Sequence, residues 1–251
     1  MKHVVGLSGG KDSTAMALRL QELHPDREWV FFCTPTGDEL PEMIAHWAAL
    51  ERLLGQRLTR ITNQTLNYWI DYFDMLPNGH ARWCTRILKI EPCIAYLKHL
   101  EETTGERPHL YVGLRADEEE RKGLYSEQVI TKFPLREWGW GLSEVWAYIR
   151  KRGVSIPKRT DCARCYGQRL SEWWRLWKQH PELYAEAEEQ ERKVGEVRET
   201  TVTFRSRSRD TWPAGLADLR GRFEAGDLPR GIDRQVSMFG DDEHACRVCS
   251  L

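Results

Sequence analysis

The feature that most constrains this chain is a glycine turn between a short apolar run and a helical pattern, close to the start of the sequence. Residues 4–7 (VVGL) are apolar and partly β-branched, which predicts a buried strand. Gly9 and Gly10 follow, and a helical pattern begins at Ser13. A strand, a glycine turn and a helix direct backbone N–H groups and the positive end of the helix toward one point. This stretch therefore predicts a binding site for an anion such as phosphate.

The side chains of the turn favour the same ligand. Lys11 supplies a positive charge, and the hydroxyls of Ser8 and Ser13 supply short donors. The turn differs from the common ATP-binding loop, which has a glycine five residues before the Gly-Lys pair and Ser or Thr directly after the lysine. Here those two positions are Val5 and Asp12. The anion loop is therefore of another kind.

The order of the remaining elements indicates an α/β fold. Residues 28–33, 57–61 and 109–114 read as further strands, and helical patterns separate them. This alternation predicts parallel strands with helices on both faces of the sheet. Ligands collect at the carboxyl ends of such strands, where the glycine turn and the loop at Gly37 and Asp38 would both lie.

Local signals set the ends of two helices. Pro41 is expected to be the first residue of a helix that Gly55 ends. Ser143 is expected to cap a helix that runs through Ile149.

Composition narrows the class of protein. The 251 residues carry 37 basic and 38 acidic side chains, so no global field attracts nucleic acid and any such contact would be a local patch. No apolar run is long enough to span a membrane, and the N-terminus lacks a signal-peptide pattern. We therefore expect no membrane association and a cytoplasmic location. In that reducing compartment the seven cysteines are expected to serve metal binding or redox chemistry rather than disulfides.

The glycine turn, residues 8–13 (SGGKDS), resembles the pyrophosphate loop of the adenine nucleotide α-hydrolase superfamily, which includes ATP pyrophosphatases, tRNA thiolases and sulfonucleotide reductases. Over roughly residues 1–170 the chain is similar to the phosphoadenosine phosphosulfate reductase-like members. The elements of that family occur here in the same order: Cys84 with Lys89 and Pro92, the segment 113–117 (GLRAD), Pro134-Leu135 with Trp138, and Cys162 with Cys165. The resemblance implies a Rossmann-like, doubly wound, mostly parallel sheet of the PP-loop (HUP) type.

Two departures from the family pattern bear on the reaction. Reductases with an iron–sulfur cluster carry a Cys-Cys pair where this chain has Trp83 and Cys84, which leaves three matching cysteines. Reductases of sulfated nucleotides usually lack a lysine at the position of Lys11, and the lysine form resembles members that consume ATP. The resemblance thus implies ATP and Mg²⁺, with Asp12 or Asp38 helping to hold the metal.

The predicted site residues follow from the loops and from this resemblance. Lys11, Asp12 and Arg115 are expected to act in catalysis. The predicted nucleotide-binding set is Ser8, Gly9, Gly10, Lys11, Asp12, Ser13, Gly37, Asp38, Gly113 and Arg115.

Three interpretations of the cysteines stay open. Cys84, Cys162 and Cys165 can hold an iron–sulfur cluster of the 4Fe-4S type with one open iron. Alternatively, Cys162 and Cys165 join Cys246 and Cys249 around a tetrahedral zinc. In the third interpretation the pair at Cys246 and Cys249 is a mobile dithiol. The remaining two cysteines, Cys33 and Cys93, are expected in the core.

The last third of the chain differs in composition. Residues 1–170 are expected to form the nucleotide-binding domain, and 171–251 a helical C-terminal appendage with a poorly ordered tail. Arg205, Arg207 and Arg209 either belong to a flexible segment or contact nucleic-acid phosphates.

The sequence favours an ATP-dependent sulfur-transfer enzyme that adenylates its substrate, releases pyrophosphate and replaces AMP by sulfur. Its expected partners are an adenine nucleotide, a sulfur donor such as a cysteine desulfurase, a nucleic-acid acceptor and a second copy in a homodimer. A sulfonucleotide reductase that releases sulfite, and a non-catalytic nucleotide-binding module, are the alternatives.

Overall fold

A five-stranded parallel sheet forms the centre of the described chain. The computed structural model describes residues 2–121, 129–207 and 210–232. The strands are β1 (His3–Gly6), β2 (Trp29–Cys33), β3 (Thr59–Arg60), β4 (His109–Tyr111) and β5 (Ile130–Lys132). Their order across the sheet is β3-β2-β1-β4-β5, and every neighbouring pair is parallel. The predicted α/β class and parallel arrangement are confirmed.

Helices connect the strands and continue beyond the sheet. They are α1 (Lys11–Leu23), α2 (Pro41–Leu54), α3 (Leu66–Phe73), α4 (Trp83–Thr85), α5 (Glu91–Thr104), α6 (Pro134–Glu137), α7 (Leu142–Lys151), α8 (Leu170–Gln179), α9 (Pro181–Val197) and α10 (Leu216–Glu224). A single π-helical turn, Arg86–Ile90, joins α4 to α5.

The sheet buries both of its faces, because successive side chains of a strand point in opposite directions. Val5 and Phe31 pack with α1, α2 and α7 on one face. Val4 and Phe32 pack with α5 on the other face. Strands covered on both sides read as continuous apolar runs, as β1 and β2 do. This two-sided packing is the predicted doubly wound arrangement.

The helix-end signals were correct in one case and wrong in the other. Pro41 begins α2, and Gly55 ends it with a left-handed φ of 68°. Ser143 is not a cap: α7 begins at Leu142, and the backbone N–H of Gly141 donates to the Glu144 carboxylate at 2.9 Å. The glutamate satisfies the free end of the helix, so a serine hydroxyl is not required there.

The predicted helical appendage exists, and it shares its core with the sheet domain. One apolar cluster contains Leu40 and Ile70 from the first part of the chain together with Trp173, Tyr184 and Phe223 from α8, α9 and α10. The expected boundary at residue 170 stays a prediction, since this core spans it. Cys246, Cys249 and the expected tail lie outside the described residues. Within the described ranges no helix combines the length and the apolar character needed to cross a membrane.

A buried carboxylate fastens α9 to the chain that follows it. Glu191 accepts the backbone N–H of Phe204 at 2.8 Å and that of Leu216 at 2.7 Å. Burial raises the pKa of Glu191 to about 7 from its ordinary value of 4.5. Between those two values the folded chain holds a proton that the unfolded chain releases, so stability falls as pH rises through this window.

We predict that Glu191→Gln flattens this pH dependence. In the unaltered chain Glu191 lowers the free energy of unfolding by about 3 kcal/mol between pH 4.5 and pH 7, since one pKa unit corresponds to ~1.4 kcal/mol. Urea unfolding at pH 5, 6, 7 and 8 measures the slope, which is independent of any constant cost of the amide. Glu196→Gln, on the exposed face of the same helix, is the control and should leave the slope unchanged. Equal slopes for all three proteins would contradict the assignment.

Candidate functional site

The turn after β1 is held from behind by α2. Gly9 has a left-handed φ of +89°, and a Cβ placed on it would lie 2.2 Å from Met43 Cε and 3.0 Å from Trp47 Nε1. The Trp47 indole N–H donates to the Ser8 carbonyl at 3.0 Å. His46 Nε2 lies 3.0 Å from the Gly9 carbonyl, and because burial lowers the pKa of His46, the neutral ring donates this bond. Only glycine fits this position without strain.

The front of the turn presents donors. Helix α1 has no side-chain cap at Gly10, so the backbone N–H groups of its first turn are available to a ligand. The Ser13 hydroxyl donates to the Gly10 carbonyl at 3.2 Å, and Ser8 Oγ lies 3.1 Å from Ser13 Oγ. Hydrogen bonds thus link Ser8, Gly10 and Ser13 within one turn, and their binding of a nucleotide stays a prediction.

Lys11 is buried beside this point. Its side chain is 1% exposed, and its Nζ has no hydrogen-bond acceptor among the described residues. The nearest acidic atom is Asp12 Oδ2, at 3.5 Å. The Asp12 carboxylate balances part of this buried charge, and an anionic ligand could accept the protons for which the described residues offer no acceptor.

Arg115 closes the other side of the same point. Its guanidinium donates to Asp12 from NH1, at 3.3 Å and 3.2 Å to the two oxygens, and from Nε to Asp117 at 2.8 Å. Burial raises the pKa of the Asp12 carboxyl, an effect that Lys11 and Arg115 oppose. Asp12 thus lies between two cations at the mouth of the anion site.

Gly113 allows this arrangement. A Cβ on Gly113 would lie 3.0 Å from the backbone nitrogen of Ser13, so the chain leaving β4 touches the first turn of α1. The glycine brings Arg115 within reach of Asp12 for the same reason.

Sequence reasoning missed Arg136, which fixes the loop that carries Arg115. Its guanidinium donates to the backbone carbonyls of Arg115 at 3.3 Å, Glu118 at 2.6 Å and Arg121 at 2.8 Å. Glu118 in turn accepts from Arg121 and from the Arg115 backbone. Contacts to backbone carbonyls do not depend on the residue types that supply them, so they leave no motif in the sequence. The available signal for Arg136 was its position directly after Pro134-Leu135.

Asp38 lies at the predicted edge of the sheet. A metal ligand there would be open to the site, whereas the Asp38 carboxylate is buried against another side chain. Its carboxylate is buried in an ion pair with Arg164, whose Nε donates at 2.6 Å. Burial raises the pKa of Asp38, and the Arg164 charge opposes the rise. The neighbouring Gly37 has a φ of +75° and abuts Thr65. Asp38 as a nucleotide or metal ligand stays a prediction, and its contacts favour an anchoring role.

Cys162 and Cys165 lie on one tight turn, in which the Cys165 N–H donates to the Cys162 carbonyl at 3.2 Å. Arg159 donates to the same carbonyl from NH2 at 2.6 Å. The turn is close to the anion loop, since Thr160 Oγ1 lies 3.7 Å from a Cβ placed on Gly10. The turn that carries two of the three predicted metal ligands therefore begins beside the anion loop.

Cys84 lies in α4, packed against the apolar cluster that also contains Ala163. Within the described ranges no three His, Cys, Asp or Glu side chains form a ready-made metal site. The donor set still suits a thiolate-bound metal in kind, with two thiols on one turn and a third on a helix that meets the same cluster. The metal assignments stay predictions.

The expected core cysteines are confirmed. Cys33 and Cys93 are buried, and burial raises the pKa of each thiol to about 12. Burial thus keeps both thiols protonated near neutral pH, as is usual for core cysteines.

One protein-family model matches residues 2–159 of the chain. It is the model of the phosphoadenosine phosphosulfate reductase domain. The chain belongs to this family. The match covers the whole sheet and the turn at Gly9 and ends just before the cysteine turn.

Relatives of this reductase-domain chain include two uncharacterized proteins of Methanocaldococcus jannaschii. Each is 26% identical to it, over 210 and 189 residues, which is 77% and 70% of this chain. The same alignments cover 42% and 44% of the relatives, so the chain spans less than half the length of either.

Solved structures with a similar chain path include a phosphoadenylyl-sulfate reductase from Candida auris in a phosphate complex, at 16% identity and a TM-score of 0.48 over 62% of this chain and 75% of that one. Another is the U34-tRNA thiolase NcsA from Methanococcus maripaludis with its 4Fe-4S cluster, at 17% identity and a TM-score of 0.47 over 100% of this chain and 80% of that one. Likenesses of this extent carry no argument about function.

The proposed nucleic-acid contact of the arginine segment fails at one residue. Arg205 is buried, and its NH2 pairs with Asp210 at 2.8 Å, so it is not available to phosphates. Arg207 is exposed and donates to the Thr201 carbonyl. Arg209 lies outside the described residues.

We predict that Gly9→Ala disrupts the anion loop. The left-handed backbone costs a residue with a Cβ about 1–2 kcal/mol, and the contact with the hydrogen-bonded Trp47 indole adds to this. A melting temperature lower by about 5 °C or more is expected in a thermal unfolding scan. Gly10→Ala is the matched control, because its Cβ would meet nothing closer than 3.6 Å. Equal melting temperatures for the two variants would contradict this account of the turn.

Proposed function

We propose that this member of the phosphoadenosine phosphosulfate reductase family is an ATP-dependent sulfur-transfer enzyme. One observation carries the proposal: the Lys11 ammonium is buried beside the first turn of α1, with the Asp12 carboxylate at 3.5 Å and no hydrogen-bond acceptor among the residues that the structure describes. A sulfated nucleotide carries a phosphosulfate where ATP carries a triphosphate and so needs fewer cations, whereas the leaving pyrophosphate of ATP would engage both the helix end and the lysine.

The proposed reaction has two displacements. An oxygen of the acceptor attacks the α-phosphorus of ATP, and the bond from that phosphorus to the pyrophosphate oxygen breaks, so that pyrophosphate leaves with the electron pair. A sulfur nucleophile then attacks the activated acceptor atom, and AMP leaves with the acceptor oxygen. The protein contributes little covalent chemistry, and its task is to position the reactants and to balance developing charge.

The chain's residues divide that task. The α1 amides, Ser8 and Ser13 would bind the phosphates, and Lys11 would balance the charge of the leaving pyrophosphate. Arg115 would contact the α-phosphate once it exchanges Asp12 for the ligand, since arginine suits phosphate geometry. Asp12, at the mouth of the site, would then be the carboxylate available to Mg²⁺.

The cysteines would hold the second component. Cys84, Cys162 and Cys165 supply three thiolates, which suits an iron–sulfur cluster with one iron left open. A cluster bound there would supply or activate sulfur for the second displacement. A zinc site is the alternative. A cysteine desulfurase as sulfur donor, a nucleic acid as acceptor and a homodimeric state stay predictions.

The family match favours one further candidate. In a sulfonucleotide reductase, a cysteine thiol attacks the sulfur of adenosine phosphosulfate or its 3′-phosphorylated form, the nucleotide leaves, and a second thiol releases sulfite as a disulfide forms. Sulfite production from either sulfated nucleotide with a thioredoxin-like reductant would establish this function in place of the first.

We predict that Lys11→Met lowers pyrophosphate formation from ATP by at least about 100-fold, as loss of one charge-stabilising group does. The melting temperature should change little, because Arg115 still pairs with Asp12 when the Lys11 charge is removed. Lys98→Met, at an exposed lysine, is the control for both measurements. Near-normal pyrophosphate release by the Lys11 variant would refute the role of this lysine.

ATP binding by the unaltered chain without any pyrophosphate formation, in the presence of tRNA, DNA and small-molecule acceptors, would indicate a non-catalytic nucleotide-binding module. That outcome would also remove the proposed reaction while leaving the binding site in place.

We further predict that anaerobically purified protein contains iron and acid-labile sulfide. Serine at Cys84, Cys162 or Cys165 should each lower the iron content several-fold, because each removes a thiolate ligand. Cys93→Ala, at a buried core thiol, is the control and should retain the metal. A colourless protein with one zinc atom per chain would contradict the cluster and favour the zinc interpretation.

A further inference from the structure

The turn that carries Cys162 and Cys165 is fastened to the loop after β2. The backbone N–H of Ala163 donates to the Asp38 carbonyl at 2.7 Å, and that of Arg164 donates to Asp38 Oδ2 at 2.9 Å. Glu39 and Cys162 form an antiparallel bridge. These contacts make the two loops one hydrogen-bonded unit.

A buried ion pair lies at the centre of this unit. The Arg164 guanidinium donates to Asp38 Oδ1 from Nε at 2.6 Å and from NH2 at 2.5 Å. The two side chains are 2% and 1% exposed, so water does not compete for either partner. Removing one partner of such a pair leaves a buried charge uncompensated and is strongly unfavourable.

A second contact continues from the pair to a cysteine. Cys162 Sγ lies 3.3 Å from Thr36 Oγ1, and that hydroxyl lies 2.7 Å from Glu39 Oε1. Thr36, Asp38 and Glu39 all belong to the loop that follows β2 at the carboxyl edge of the sheet. The sheet therefore determines where the thiol lies.

We infer that Arg164 and Asp38 are positioning residues, whose buried ion pair fixes the two thiols of the cysteine turn at the nucleotide edge of the sheet. The inference rests on the proposed function for what the thiols do there, but not for where they are held. Lysine cannot replace the arginine fully, because a single ammonium cannot reproduce two guanidinium bonds to one carboxylate.

The test measures how fast iodoacetamide alkylates each cysteine of the full chain as purified. Trypsin cuts after Arg159, Arg164 and Arg169, so Cys162 and Cys165 fall on separate peptides that mass spectrometry quantifies. Arg164→Lys preserves that cleavage site, and Asp38→Asn leaves the arginine in place. The buried thiols of Cys33 and Cys93 report any general unfolding.

Asp38→Asn should raise the alkylation rates of Cys162 and Cys165 at least tenfold, and Arg164→Lys by a smaller factor of about three or more, while Cys33 and Cys93 stay unreactive. Arg192→Lys, in an exposed ion pair, should change nothing. Rates within twofold of the unaltered chain would overturn the inference. Parallel increases at Cys33 and Cys93 would overturn it also, since the pair would then hold the fold rather than the turn. No nucleotide is required, so this result is independent of the test on Lys11.

Discussion

The backbone turn at Gly9 is the constraint on which the site depends. Strand β1 ends at the carboxyl edge of the sheet, and helix α1 begins there. Gly10, which precedes α1, provides no side-chain cap for the first N–H groups of the helix. The left-handed φ at Gly9 makes that reversal, and Trp47 and His46 of α2 hold its carbonyls from behind. The helix end, Lys11 and Ser13 are all positioned by this one turn.

Two arginine–aspartate ion pairs at the carboxyl edge of the sheet differ in how deeply they are buried. Asp12 and Asp38 follow neighbouring strands, yet Asp12 is partly exposed between two cations and Asp38 is sealed in an ion pair. The two arginines differ in exposure and in location. Arg115 is 10% exposed and lies against the anion loop, whereas Arg164 is 2% exposed and lies against the cysteine turn. A ligand can displace the carboxylate partner of Arg115 more readily than that of Arg164, because displacing Asp38 from Arg164 would leave a buried carboxylate unpaired.

The C-terminal helices pack directly against the region that contains the cysteine turn. Trp173 and Tyr184 share an apolar cluster with Leu40, and Cys84 and Ala163 meet that same cluster. Arg164 also lies 3.7 Å from Glu186 of α9. The anion loop is thus built by β1, α1 and α2, whereas the surroundings of the thiols combine the loop after β2 with the later helices.

The sequence alone determined the α/β class, the strands β1, β2, β3 and β4, and the anion loop, because each depends on local signals: apolar runs, a paired glycine and helical spacing. It missed β5, whose three residues are too few to show a pattern. It also assigned Arg205 to either a flexible segment or a nucleic-acid contact, although that side chain is buried. Tertiary structure decided the partners of Asp38 and the hydrogen bonds by which Arg136 holds the loop of Arg115. These contacts join residues far apart in the chain, and residue spacing carries no information about which distant groups will meet.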